Sequence, residues 1–184
     1  MFDIAAKEAT RLEQLTNDFL AYARPRPPAK SVNYVADLLA YVSDLSRAHA
    51  DSRNVSLTVN APNELICDCD PVGLQQLLLN LVMNAIDASP PGATVTLTGK
   101  EVAGRVLIEV ENQGNGIAPD QLGRIFEPFF TTKPRGTGLG LAIARTIARS
   151  QGGDLTLTEN GPERVRFSVR LPATTEVSLE MVKR

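Results

Sequence analysis

Apolar residues recur along the chain with two periods, and each change of period marks a new element. Leu12, Leu15, Phe19 and Tyr22 stand at i, i+3, i+7 and i+10, a narrow seam that predicts a helix over 3–23. Lys7, Glu8, Arg11, Glu13, Gln14, Asn17 and Asp18 fill its other faces. A lone helix of this length is marginal in water, so the seam is expected to meet another helix. In Arg24-Pro25-Arg26-Pro27-Pro28, three prolines in four residues end the helix and form a stiff extended linker.

Beyond the linker, Val35, Leu38, Leu39, Val42 and Leu45 predict a helix over 33–50. Val55, Leu57 and Val59 alternate as a half-buried strand does, and a second strand is expected at 64–69. Asp70-Pro71 reads as a cap followed by proline in the first turn. The helix it opens runs to about Ala88 and stops at Ser89-Pro90-Pro91-Gly92. Strands are predicted at 93–100 and 105–112, a helix near 137–150, strands at 154–160 and 163–171, and a loose tail over 172–184. The fold class is therefore α+β.

Composition narrows the function. The 184 residues suffice for one domain with a real core, with some thirty to spare. Nineteen basic against twenty-one acidic side chains give a net charge of −2, which excludes strong electrostatic binding of nucleic acid. No apolar run approaches the length of about 18 residues that a membrane span needs, and with no charged n-region followed by an apolar stretch, no signal peptide is expected. Cys67 and Cys69 sit on one face of a strand with no second pair or histidine cluster, so they read as reduced structural thiols of a cytoplasmic domain. His49 is the one histidine, and any mechanism that needs another must borrow it.

Four segments carry candidate chemistry. On the 71–88 helix, Gln76, Asn80, Asn84 and Asp87 form one polar stripe beside the apolar face of Leu74, Leu77, Leu78, Leu81, Val82 and Ala85. A solvated face would explain such a stripe, but Asn is a weak helix former, and an amide oxygen is a neutral hard ligand suited to Mg²⁺. Asn112, Gly114, Gly116 and Ile117 end a strand; the glycines let a ligand approach the main chain, though a plain turn has the same composition. Phe126, Phe129 and Phe130, followed by Thr131, Thr132 and Lys133, suit a hinge that docks a mobile segment, or a plug at a core edge. Gly136, Thr137, Gly138, Leu139, Gly140 and Leu141 open a helix, where unpaired N–H groups and the helix dipole favour phosphate. The dinucleotide-binding and Walker-type glycine patterns are absent.

Singly each is ambiguous, but their order and spacing are not. Together they resemble the N, first-glycine, F and second-glycine boxes of the ATP-binding domain of sensor histidine kinases, the fold shared with gyrase-, Hsp90- and MutL-type ATPases. The resemblance covers about residues 30–171. Its most specific phrases are Leu-Leu-Leu-Asn-Leu-Val-Met-Asn-Ala (77–85) and Phe-Phe-Thr-Thr-Lys-Pro-Arg-Gly-Thr-Gly-Leu-Gly-Leu (129–141). The short lid looks most like the nitrogen-regulation type of kinase. Asp-Phe-Leu-Ala-Tyr-Ala-Arg-Pro (18–25) is similar to the end of the second helix of that family's dimerisation hairpin.

The resemblance implies a two-layer α/β sandwich, a mixed sheet covered by helices with an ATP lid, preceded by one long N-terminal helix. It divides the chain into a partial hairpin (1–24), a proline-rich linker (25–31), an ATP-binding catalytic domain (32–172) and a tail (173–184). It implies ATP and Mg²⁺ as cofactors, with Asn84 holding the metal and Asn80 ordering water or phosphate. Gly136, Thr137, Gly138, Leu139, Gly140 and Leu141 would wrap the phosphates. Thr131, Thr132, Lys133 and Arg135 would belong to the lid, Lys133 as a point charge on phosphate oxygens. Asn112, Gly114, Gly116, Ile117 and Phe126 would belong to the adenine slot. The implied partners are a histidine-bearing hairpin helix, a downstream response regulator and a second copy of the chain, joined through the N-terminal helix. The chain itself would be cytoplasmic, whether or not its parent is membrane-anchored.

Three departures from the family pattern matter. Asn112 stands where the family usually has Asp, replacing a charged acceptor for the adenine amino group by a neutral one, weaker by about 1 kcal/mol. Asp87 stands where a phosphate-binding Lys is sometimes found. The phosphoacceptor histidine is missing, since His49 follows the linker and reads as ordinary. Two other readings compete with a kinase fragment: an ATPase or serine kinase of the same fold, and a degenerate module kept for partner contacts. Asn80 argues against the ATPase, because the related enzymes place Glu there and an Asn cannot serve as a base.

Overall fold

The computed structural model describes residues 16, 19, 20, 23, 27–134 and 136–172. Thr16, Phe19, Leu20 and Ala23 are helical, and Phe19 and Leu20 are exposed. The rest of the N-terminal seam, Arg135 and the tail lie outside the described residues.

Residues 27–172 build two sheets and three helices. β1 (Ser31–Tyr34) leads directly into α1 (Val35–Ser52). β2 (Ser56–Asn60), β3 (Ile66–Cys69) and α2 (Pro71–Ala88) follow, then β4 (Thr94–Val102) and β5 (Arg105–Asn112). After a long irregular stretch come α3 (Gly140–Ser150), β6 (Asp154–Asn160) and β7 (Val165–Leu171). The main sheet has the order β2-β4-β5-β7-β6, with β2 parallel to β4 and every other pairing antiparallel. This is the expected α+β sandwich, with the helices on one face of a mixed sheet.

Alternation along each strand sets which face is buried. The register aligns Val59, Leu97, Val110, Phe167 and Leu157 across the sheet on the helix side. The next row is Gly99, Ile108, Val169 and Leu155. Gly99 admits no side chain, because a Cβ there would lie 2.8 Å from Val35 Cγ1 at the start of α1. The opposite face is polar, with ion pairs such as Lys100–Glu109 at 2.7 Å and Arg166 Nε donating to Glu111 at 2.8 Å.

Three local differences from the sequence reading have physical causes. β1 falls where the pattern gave linker and helix start; it pairs antiparallel with β3 in a separate two-stranded sheet, Ser31 opposite Cys69 and Tyr34 opposite Ile66. Four residues after a proline run are too few to show a period. Asp70 does begin α2, but its side chain makes no capping bond. Its backbone N–H instead receives the buried Gln151 side chain, Oε1 accepting at 2.9 Å. α3 starts at Gly140, three residues later than 137, because Gly138 has a left-handed φ of +68° that no helix tolerates. Cys67 and Cys69 are free and fully buried.

Leu78 is completely enclosed in the core. Leu78→Ala is expected to cost about 3 kcal/mol, measured by urea denaturation followed by circular dichroism. A cost below about 1 kcal/mol would mean that α2 does not seat against the sheet as described.

Candidate functional site

α2 buries Leu74, Leu77, Leu78, Leu81, Val82, Ala85 and Ile86, which turns its polar stripe to one edge of the core. There the helix faces the start of α3. A Cβ on Gly140 would lie 3.8 Å from Asn80 and from the Asn84 amide nitrogen, so the glycine run passes directly over both amides. Leu139, fully buried, pins the run from beneath, and its N–H is 3.3 Å from Thr137 Oγ1. The first-turn N–H groups of α3 lack partners within the helix, and they open beside Asn80 and Asn84. Asn80 Nδ2 is buried and, among the described residues, has no hydrogen-bond partner. An orphaned amide of this kind in a cleft calls for an acceptor from outside the chain.

Lys133 closes the other side. Its Nζ donates to Asn84 Oδ1 at 2.9 Å and to Asp87 Oδ2 at 2.8 Å. The turn that carries it is set by its own backbone N–H, which donates to Thr131 Oγ1 at 3.1 Å. Thr131 and Thr132 are exposed. Asp87 also meets His49 Nε2 at 2.9 Å and an Arg53 guanidinium nitrogen at 3.1 Å. His49 thus belongs to the edge of the site, a placement the sequence did not reveal, since α1 and α2 meet only through tertiary packing.

Asn112 holds the last core-facing position of β5, between Val95 and Val165, and is buried. Its Nδ2 donates to the Gln113 carbonyl at 3.1 Å, so the NH₂ end is engaged within the chain. Gly114 is obligatory: a Cβ there would lie 2.7 Å from the Ala88 carbonyl at the end of α2. Gly116 has φ +74°. Asn160, at the end of β6, fixes the segment by accepting from Ile117 N–H at 2.7 Å and donating to its carbonyl at 2.9 Å. This brace was not legible in the sequence.

The aromatic segment supports the loop from behind. Phe126 packs edge-on to Phe167, centroids 6.3 Å apart, and Arg145 of α3 lies 4.6 Å above its ring. Phe130 carries Arg124 at 4.5 Å. Phe129 has a left-handed φ of +67° and is exposed, with its carbonyl against Gly138. The site residues thus form two groups. Asn80, Asn84, Asp87, Lys133 and Gly140 lie together; Asn112, Gly114, Gly116 and Ile117 gather at the end of β5, where Gly114 meets the C-terminal end of α2. A separate depression of about 360 Å³ is lined by Glu111, Glu159, Glu163 and Arg164, and its Glu111 and Glu159 carboxylates are already paired with Arg164 and Arg166. Among the described residues no cluster of His, Cys, Asp and Glu could hold a metal unaided. No helix among them is long and apolar enough to cross a membrane.

The family model of the histidine kinase-, DNA gyrase B- and HSP90-like ATPases matches residues 69–175, from α2 through β7. The chain belongs to this ATPase family. Within it, the chain is 38% identical over 172 residues to the sensor histidine kinase ZraS of Salmonella typhi, and 31% identical over 173 residues to sporulation kinase E of Bacillus subtilis. These matches take in 92% and 93% of the chain, which spans only 37% and 23% of those proteins. The catalytic domain of histidine kinase ThkA superposes with a TM-score of 0.72 at 31% identity, over 79% of this chain and 96% of that one. Full-length ShkA in complex with AMPPNP superposes at 0.77 and 29% identity, over 95% of this chain and 39% of that one. These likenesses carry the sensor-kinase family rather than a subgroup within it.

The electrostatics of this ATPase-family site centre on Asp87. Burial alone would raise its pKa, but hydrogen bonds from Lys133, His49 and Arg53 outweigh that and hold it at about 2, below the ordinary 3.8. A depressed carboxyl stabilises the fold above its unfolded pKa, and that contribution is lost as pH falls from 3.8 through about 2. The parent is therefore expected to be more stable than Asp87→Asn at pH 6 and to lose that advantage as the pH is lowered through this window. Urea melts of both proteins at a series of pH values check it; a constant difference would contradict the pairing.

Proposed function

We propose that this chain is the ATP-binding catalytic part of a two-component sensor histidine kinase. The observation that carries the reading is the orphaned Asn80 amide beside Asn84, under a glycine run at a helix N-terminus. The donors present fit a magnesium–triphosphate. Asn84 Oδ1 already accepts from a cation, the Lys133 ammonium, and a hard neutral oxygen suits Mg²⁺ equally. A bound magnesium ion supplies charge neutralisation at the phosphates. Asn80 Nδ2 donates to a phosphate oxygen or an ordered water. The backbone of 136–141 wraps the phosphates, while Thr131, Thr132 and Lys133 close over the γ end. Asn112 Oδ1 accepts from the adenine amino group, with Gly114, Gly116 and Ile117 leaving room for the base.

Phosphoryl transfer on such a site is mainly positioning and charge neutralisation. The acceptor is a histidine on a hairpin helix of the full-length kinase, because His49 is committed to Asp87 within the domain. Neutral imidazole is already a nucleophile, so no strong base is required, in keeping with Asn at position 80. ThkA has been captured with the response regulator protein TrrA, which supports a response regulator as the downstream partner here. The exposed Phe19 fits a hairpin helix that pairs two chains, and a cytoplasmic location belongs to the same reading.

Calorimetric titration with Mg-ATP and Mg-GTP tests the nucleotide site, and phosphate transfer to a separately supplied hairpin tests the kinase. ATP is expected to bind and GTP to be rejected. Asn112→Asp should tighten ATP by several-fold, in line with about 1 kcal/mol for a charged over a neutral acceptor. Asn84→Ala should abolish the magnesium dependence. Failure of both the parent and Asn112→Asp to bind ATP would overturn the reading.

A further inference from the structure

Lys133 is not waiting free for a phosphate. Its ammonium is clamped between Asn84 Oδ1 and Asp87 Oδ2, at 2.9 and 2.8 Å. The oxygen it occupies on Asn84 is the one a metal would need. Asp87 is itself oriented: its Oδ1 is held by His49 at 2.9 Å and Arg53 at 3.1 Å, which leaves Oδ2 directed at Lys133. His49 and Arg53 come from α1 and its C-terminal cap, Asp87 from the last turn of α2, and Lys133 from the loop before α3. Three parts of the chain thus converge on one carboxylate. Asp87, read from the sequence as part of the polar stripe and as standing where a phosphate-binding Lys is sometimes found, here holds Lys133.

We propose that Asp87 is a latch for the nucleotide-free state. It is a positioning residue that draws Lys133 onto Asn84 and holds the 131–134 turn down over the phosphate end of the cleft. Entry of a divalent metal with its nucleotide then requires exchange: the ammonium leaves Asn84 as the metal arrives. The triphosphate offers Lys133 a replacement anion. The latch uses charge that the bound ligand supplies afresh, so the turn is held in both states and is free only during exchange. This extends the ATP-site reading and rests on it for the identity of the ligand, but the latch itself exists without one.

A half-exposed pair is worth little alone, and a contact of this class shifts a local opening equilibrium by roughly three- to fivefold. Hydrogen exchange read by mass spectrometry on the nucleotide-free chain resolves such a shift. Asp87→Asn is expected to speed exchange in peptides covering 129–134 by that factor, with the main-sheet peptides unchanged. Lys133→Met should do the same, and the double variant should exchange no faster than either single one. Unchanged exchange in both single variants, or additive effects in the double, would overturn the latch. Should Asp87→Asn loosen α2 as a whole, Lys133→Met decides, because that side chain has no part in the core. Stopped-flow association of a fluorescent ADP analogue with Mg²⁺ tests the exchange step: a rate faster by a similar factor in Asp87→Asn supports it, and an unchanged rate contradicts it. If the chain binds no nucleotide at all, the first measurement still stands, so failure of the latch and failure of the ATP reading are told apart.

Discussion

Leu74, Leu77, Leu78, Leu81, Val82 and Ile86 are sealed between the sheet and the neighbouring helices, and their enclosure fixes the rotation of α2 about its own axis. Each such side chain contributes about 1.5–3 kcal/mol by leaving water. Turning the helix by one residue would expose several of them and bury the amide stripe instead. Asn80, Asn84 and Asp87 therefore stand at the rim of the core because the apolar face leaves them no other place. Two asparagines, weak helix formers, are carried in a helix that packing stabilises.

The rest of the site is hung on that helix by close approaches. Gly114 touches the carbonyl at the end of α2, and Gly140 passes over its two amides. The sheet register carries Asn112 to the same end of the molecule as the last core-facing residue of β5. Phe126 and Phe167 brace the loop, and Arg145 links them to α3. Amides on α2, backbone donors at the start of α3 and the Lys133 ammonium held beside them are together suited to a polyanion. Holding a nucleotide is the chemistry this arrangement supports, and the proposed Asp87 latch would act on it before the nucleotide arrives.

Much of this was legible in the sequence, and the omissions follow a physical rule. α1, α2 and the five strands of the main sheet announce themselves by period, because one face of each is buried and the other is not. The glycine-bearing segments were legible through their order. What the sequence did not show depends on contacts between distant segments. β1 is too short to display a period and is defined by its pairing with β3. Asn160 looks like an ordinary strand-end residue until Ile117 is placed against it. Gln151 takes the backbone N–H of Asp70 across 81 positions of sequence. His49 reads as a helix-surface residue until α1 packs on α2 and brings it to Asp87. Side chains that bridge elements have no signature in the elements themselves.

The central claim is that the amides of α2 and β5 line one nucleotide cleft. Side-chain amide NMR of the isotopically labelled chain, titrated with Mg-ATP, addresses it most directly. The account predicts saturable shifts in the NH₂ signals of Asn80, Asn84 and Asn112, with those of Asn33 and Gln76 unmoved. Shifts confined to Gln113 and its neighbours on the far side of the sheet, or none at all at saturating nucleotide, would contradict it.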